Sequence, residues 1–387
     1  MPEIVFPRRI IYNEPIDNVL TDIASMYHVR NLFIITDSVI RNLDFMENLL
    51  MTLSQSGIKY AVYDAVPPEP PVSIADQIAE EARKQGRIDA FIAIGGGSVI
   101  DAAKAGLVKF VKPSMDIRDL SPFETIGLEL NKPFLVAVPT TSGTGSEATL
   151  GVVLTDDTPE GRVKIALGSP EVIPFTVILD PHTTLTMPKS LRASTGVDAL
   201  AHAIEAYVSN QSNPLTDALS EKSVVLIMEN LEKSLENMEE PVAKMHLAAD
   251  MAGMAFSNSG LGLAHAIAHP LGGMLGLHHG LTVGVVLPYV VEYNSEKDPY
   301  IREKYSKLVS IVNLFLGTRY ASLEDAITDL YKRIGQPLRF RDVGIPLESY
   351  EKAKEEVSRL ALQDADIAFA PIVPMPDEIL SLLEKMY

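Results

Sequence analysis

Four short apolar runs interleaved with helical segments constrain this fold more than any other feature of the sequence. Residues 31–37, 60–63, 90–94 and 134–138 are too short for helices and too uniformly apolar for surface loops, as buried parallel strands are. Between the runs, residues 45–56, 74–85 and 99–111 carry helical spacing. The connection Pro67-Pro-Glu-Pro-Pro71 can be neither helix nor central strand. Strands alternating with helices predict βαβ units and a doubly wound α/β sheet.

The pattern changes further along the chain. Residues 152–154, 163–166 and 177–179 are apolar runs separated by turn formers, which predicts an antiparallel extension. From about residue 185 no comparable strand signal recurs, and 216–236, 241–257 and 301–316 read as helices. Met187-Pro188 marks the expected boundary between an α/β domain over 1–187 and an all-helical domain over 188–387. No internal repeat or low-complexity tract is visible.

Composition narrows the partners. Acidic side chains outnumber basic ones by 51 to 33, so the formal net charge is −18, and a nucleic-acid or anionic-membrane partner is not expected. The chain has no cysteine, which excludes disulfides, thiolate-ligated zinc, iron–sulfur clusters and thiol nucleophiles. The start of the chain lacks the apolar core of a signal peptide, and no stretch has the ~18 apolar residues of a membrane span, so the cytoplasm is the expected location.

Two loops suit a dinucleotide. Gly95-Gly-Gly-Ser-Val-Ile-Asp101 stands where a strand hands over to a helix. There glycines admit a diphosphate and the helix N-terminus offers free N–H groups. Gly96, Gly97 and Ser98 are the candidate contacts, Ser98 as a helix cap or phosphate donor; a turn needing positive φ is the simpler alternative. Asp37 ends the first run, where a carboxylate accepts from a ribose diol and repels a 2′-phosphate, favouring NAD over NADP; a plain turn aspartate explains it equally well. Pro139-Thr-Thr-Ser-Gly-Thr-Gly-Ser-Glu147 is dense in small donors suited to a phosphate, a ribose or a nicotinamide.

The histidines point to a metal. Asp198 and His202 are four residues apart, as are His265 and His269, so each pair projects from one helix face. His278-His279-Gly280 adds a further donor, and spacing alone leaves open which of its two imidazoles takes part. One carboxylate with imidazoles and no thiolate suits Fe²⁺ or Zn²⁺, with Mn²⁺, Co²⁺ and Ni²⁺ also open. A dinucleotide loop in one half and a metal with open positions in the other suggest a single chemistry. The metal polarises an alcohol oxygen, the carbinol hydride passes to a nicotinamide, and a histidine that is not a ligand takes the proton.

These stretches, with Thr195-Gly-Val-Asp-Ala-Leu-Ala-His-Ala-Ile-Glu205, Gly260-Leu-Gly-Leu-Ala-His-Ala-Ile-Ala-His-Pro-Leu-Gly272, His279-Gly280 and Val286-Leu-Pro288, resemble the iron-containing (group III) alcohol dehydrogenases in order and over nearly the whole chain. The resemblance implies the dehydroquinate synthase-like architecture, a dinucleotide-binding α/β domain followed by an all-α metal-binding domain with the active site in the cleft between. It implies a reaction between a small alcohol or diol and NAD(P), and a homo-oligomer, commonly a dimer or larger. By motif it implies Asp198, His202, His265 and His279 as metal ligands and His269 as a proton relay. Phe256 becomes an apolar wall beside nicotinamide and substrate. Asp37, Gly96, Gly97, Ser98, Thr140, Thr141, Thr144 and Lys164 become coenzyme contacts, with a solvated strand lysine the simpler reading of Lys164. Many members carry Pro-Asn-Pro where this chain has Pro68-Glu69-Pro70, and a carboxylate there cannot donate as an amide does. Competing expectations are a glycerol dehydrogenase-like, dehydroquinate synthase-type or hydroxy-acid-specific enzyme of the same superfamily, and a non-catalytic NAD-binding sensor.

Overall fold

The computed structural model describes residues 3–123, 125–128, 133–158 and 161–387. The chain divides into two compact units, Met1–Thr141 with Gly145–Met187 and Ser142–Thr144 with Pro188–Tyr387. No helix of the described residues is long and apolar enough to cross a membrane.

The first unit opens with β1 (Arg9–Tyr12), α1 (Ile16–Met26), β2 (Asn31–Ile35), α2 (Asp44–Gln55) and β3 (Lys59–Tyr63). It continues through α3 (Ile74–Lys84), β4 (Ala90–Gly95), α4 (Gly97–Val111) and β5 (Phe134–Pro139), then β6 (Gly151–Thr158), β7 (Gly161–Gly168) and β8 (Thr176–Leu179). Six strands form one sheet in the order β1-β8-β5-β4-β2-β3, with every pair parallel. Every residue of β4 and β5 is buried, which explains their unbroken apolar sequence. Helix α3 turns Ile74, Ala75, Ile78, Ala79 and Ala82 inward, and a Cβ on Gly106 of α4 would stand 2.3 Å from Ile78, so glycine there sets how closely α3 and α4 pack.

The sheet order decides where a ligand can sit. From β2 the chain runs to β3 on one side, then returns to β4 on the other, so the order reverses between β2 and β4. In parallel sheets the crevice beyond the strand ends at such a reversal is the usual ligand position. The segments leaving β2 and β4 there are the one carrying Asp37 and the glycine run Gly95–Gly97.

Several expectations change. The run 177–179 belongs to β8, a parallel strand between β1 and β5, and only β6 and β7 form an antiparallel hairpin. Turn residues flank β8 on both sides and mimic a hairpin, so composition could not separate the two. Strand β1 and helix α1 were not anticipated from the sequence, because Arg8-Arg9 and short spacing dilute the apolar signal. Helices α6 and α10 begin at Pro214 and Pro299, two residues before the spacing indicates, since proline is well placed in a first helical turn.

The second unit is helical throughout. It comprises α5 (Lys189–Val208), α6 (Pro214–Ser234), α7 (Glu239–Ser259), α8 (Leu263–Leu275) and α9 (His279–Lys297). It ends with α10 (Pro299–Leu316), α11 (Leu323–Ile334), α12 (Leu347–Ala361) and α13 (Pro376–Met386). One core joins them, with Val197, Leu200, Ile204, Leu231, Ile267 and Val286 almost fully excluded from water. Helix α5 is buried from Arg192 to Val208, so its polar residues Asp198, His202 and Glu205 need partners inside the protein.

Candidate metal centre and coenzyme loops

Helical period places Asp198, His202 and Glu205 of α5 on one face, at intervals of four and three. Helix α8 presents His265, and His279 is the first residue of α9. Gly280 explains how α9 starts so close. A Cβ there would stand 2.3 Å from the Ser194 carbonyl oxygen and 3.3 Å from Asp198 Cβ. Glycine therefore lets His279 reach the Asp198 carboxylate, while His278 is exposed.

Three imidazoles surround one carboxylate oxygen. The Nε2 atoms of His279, His265 and His202 lie 3.4, 3.7 and 3.8 Å from Asp198 Oδ1. Asp198 Oδ1 and His265 Nε2 are buried without a hydrogen-bond partner. Bonds of about 2.1 Å to one tetrahedral ion would set neighbouring ligand atoms about 3.4 Å apart. The separations are too long for hydrogen bonds and near that edge length, so the donor set fits a divalent ion. Asp198, His202 and His265 bring their donor atoms within 4.8 Å of one another; His279 stands outside that trio but within reach of Asp198.

Glu205 was not singled out in the sequence. Its Oε2 accepts from His265 Nδ1 and its Oε1 accepts from the Ala264 amide at 2.6 Å. This orients the ring and leaves Nε2 as its donor atom to a metal, the usual second layer behind a ligating imidazole. Burial lowers His202 to about 4 and takes His279 well below its ordinary value, so both are neutral and ready to ligate. Burial opposes charge on His265 too, but Glu205 and Asp198 outweigh it and push the imidazole up to about 10. Burial likewise opposes the Asp198 anion, and the surrounding imidazoles hold its carboxyl below the usual range.

His269 lies one turn beyond His265 but turns elsewhere. Its ring stacks on His279 at 5.2 Å, and its Nδ1 lies 2.9 Å from Asp364 Oδ2 and 3.9 Å from Asp366 Oδ2. The repeated four-residue spacing thus does not make a second ligand pair. The Phe256 ring lies 4.5 Å from that of His202, giving the cluster an apolar neighbour.

The glycine run shows a division of labour. A Cβ on Gly95 would come within 2.5 Å of Val99, whereas one on Gly96 would make ordinary 3.5 Å contact with Thr141. None of Gly95, Gly96 and Gly97 has positive φ, so a strained turn does not account for them. Gly96 precedes the first turn of α4, which has no side-chain cap; Ser98 lies inside the helix and is not its cap. Asp37 Oδ1 accepts from the Val39 and Ile40 amides at 2.8 and 2.9 Å, so it shapes a turn whatever else it does.

Thr140 follows β5, and its amide donates to Gly95 oxygen at 3.0 Å. Thr141 and Thr144 are half-buried. Two other hydroxyls of this loop are structural. Ser142 Oγ meets His246 Nδ1 at 3.2 Å, and Ser146 donates to Asp101. The fully buried Lys104, also missed in the sequence, donates to the Thr149 and Gly151 carbonyls at 2.9 and 2.7 Å, tying this segment to α4. Lys164 Nζ is ion-paired with Glu69 Oε1 at 2.7 Å.

Comparison with known proteins identifies the chain's relatives. Residues 7–181 match the iron-containing alcohol dehydrogenase family and residues 192–387 match the Fe-containing alcohol dehydrogenase family, C-terminal. The chain is 32% identical to the NADPH-dependent butanol dehydrogenase of Clostridium saccharobutylicum over 100% of this chain and 98% of that protein. It is 33% identical to the aldehyde-alcohol dehydrogenase of Streptococcus pneumoniae over 93% of this chain, yet spans only 43% of that protein's length. The iron-containing alcohol dehydrogenase of Thermococcus thioreducens superposes with a TM-score of 0.89 at 30% identity, covering 100% of this chain and 99% of that one. With family matches over 7–181 and 192–387 and a full-length structural likeness, the chain belongs to the iron-containing alcohol dehydrogenase family.

Proposed function

We propose that this chain is a metal-dependent alcohol dehydrogenase or aldehyde reductase, acting between a small alcohol or diol and NAD. The observation that carries the reading is the convergence of three imidazole Nε2 atoms on the orphaned Oδ1 of Asp198. In this reading Asp198, His202, His265 and His279 hold Fe²⁺, with Zn²⁺ or another divalent ion able to take the same donors. When bound, the ion supplies Lewis-acid polarisation of the alcohol oxygen and the nicotinamide supplies the hydride acceptor.

The chain's own groups do the rest. The α4 N-terminus and the backbone of Gly96 and Gly97 bind the diphosphate, with Ser98, Thr140, Thr141 and Thr144 as further contacts. Asp37 accepts from the ribose diol, and its charge disfavours a 2′-phosphate, which supports NAD over NADP. Lys164 is a coenzyme contact only to the extent that Glu69 releases it. Phe256 walls the substrate position, which suits short alcohols, diols and aldehydes. His269 takes the alcohol proton at Nε2, and with 37% of its side chain exposed it can pass that proton to water.

The acidic surface supports an enzyme without a nucleic-acid or membrane partner. The family resemblance supports a homo-oligomer. Anaerobically purified protein, assayed for metal content and for NAD(H) absorbance across an alcohol panel with and without chelator, tests the reading. Turnover that a chelator abolishes and Fe²⁺ restores is expected. Chelator-insensitive turnover would remove the metal role, and tight NAD binding with no turnover would favour a sensor.

A further inference from the structure

Asp364 uses its two carboxylate oxygens for different tasks. Oδ1 accepts from the Asp366 amide at 2.9 Å and so caps the 3-10 helix Ala365–Phe369. Oδ2 lies 2.9 Å from His269 Nδ1, so the imidazole donates its Nδ1 proton to this carboxylate. Asp366, with its Oδ2 at 3.9 Å, is too far to share that bond. The backbone contact fixes the carboxylate, the carboxylate fixes the tautomer, and stacking on His279 fixes the ring plane.

We infer that Asp364 is a positioning residue for His269, holding it as the Nδ1–H tautomer so that Nε2 is its one proton acceptor. The inference rests on the proton-relay reading of His269. A neutral imidazole has one donor and one acceptor nitrogen, and the partner of the first decides which is the second. Left to water, the ring would populate both tautomers, and one of them presents an N–H where a lone pair is needed. His265 and Glu205 repeat the arrangement one helical turn away, there with Nε2 directed at the metal cluster. The two carboxylate–imidazole couples on α8 thus prepare two Nε2 lone pairs, one for an ion and one for a proton.

Asp364→Asn tests this. The amide oxygen still accepts the Asp366 N–H, which turns the amide NH₂ toward His269 Nδ1 and favours the opposite tautomer. We expect kcat for alcohol oxidation to fall by about 10²-fold or more, with KM for the alcohol changed by less than about 3-fold. In ¹⁵N-histidine-labelled, zinc-loaded full chain, the His269 Nδ1 signal should move from the protonated to the unprotonated range while the other histidines keep their shifts. Asp364→Ser retains a cap without imposing a donor, so its loss in kcat should be smaller than that of Asp364→Asn. Equal losses in the two variants, with Nδ1 still protonated in Asp364→Asn, would assign Asp364 to the cap alone and overturn the inference. If the unaltered chain oxidises no alcohol, the functional reading fails on its own, and the nitrogen signals still decide whether Asp364 sets the tautomer.

Discussion

The proposed metal cluster and the glycine loop are built on opposite principles. In the cluster, four side chains converge from α5, α8 and α9, and their backbones are ordinary helix. At the glycine loop the groups proposed to bind the coenzyme are main-chain N–H groups at the end of β4 and the start of α4, and the side chains matter chiefly by being absent. A site made of side chains fails when one is removed. A site made of backbone fails when bulk is added.

That contrast can be broken at four places. The largest effect is expected for Asp198→Ala, which removes the oxygen shared by three imidazoles; bound metal should be lost by mass spectrometry and turnover should fall by about 10³-fold or more. Metal retained at full stoichiometry in that variant would show that the cluster is a polar core and not a site.

Next come the two glycines. Gly95→Ala should cost about 1–3 kcal/mol in denaturant unfolding because of Val99 and leave the coenzyme constant of the folded fraction little changed. Gly96→Val should weaken NAD binding by about 10-fold with a smaller loss of stability. If both positions affect stability alone, the loop is a packing device.

Third, burial raises the Glu147 carboxyl to about 7, against 4.5 in its ordinary state. The folded state therefore holds a proton that the unfolded chain releases, and stability falls as pH rises between about 4.5 and 7. Glu147→Gln should flatten that slope and raise stability at pH 8 by about 1–3 kcal/mol; an unchanged pH profile of the melting temperature would count against it. The smallest effect belongs to Glu69→Asn, which frees Lys164. An exposed ion pair is worth about 1 kcal/mol at most, so coenzyme KM should fall by less than about 5-fold, and no change in KM for NAD or NADP would leave Lys164 a solvated lysine.

The two sites were also unequally legible. Asp198/His202 and His265/His269 stand out because a helix carries residues four apart to one face, a relation internal to one element. Spacing treated the pairs alike, yet His265 faces Asp198 while His269 turns to Asp364, ninety-five residues on. Glu205 read as an ordinary helix residue because nothing local shows that α5 is buried all round. The hydroxyl-rich loop looked uniformly like a binding loop, although Ser142 and Ser146 are spent on His246 and Asp101.

The sequence alone determined the alternation of buried strands with helices, the change to a helical second half and the donor chemistry of the cluster, since each depends on periodicity or on residue type. Tertiary structure alone decided that β8 enters the parallel sheet, that the order reverses between β2 and β4, and that Glu205 and Asp364 stand behind two histidines. Those relations join residues remote in the chain, and such contacts leave no period in the sequence because only the packed core brings them together.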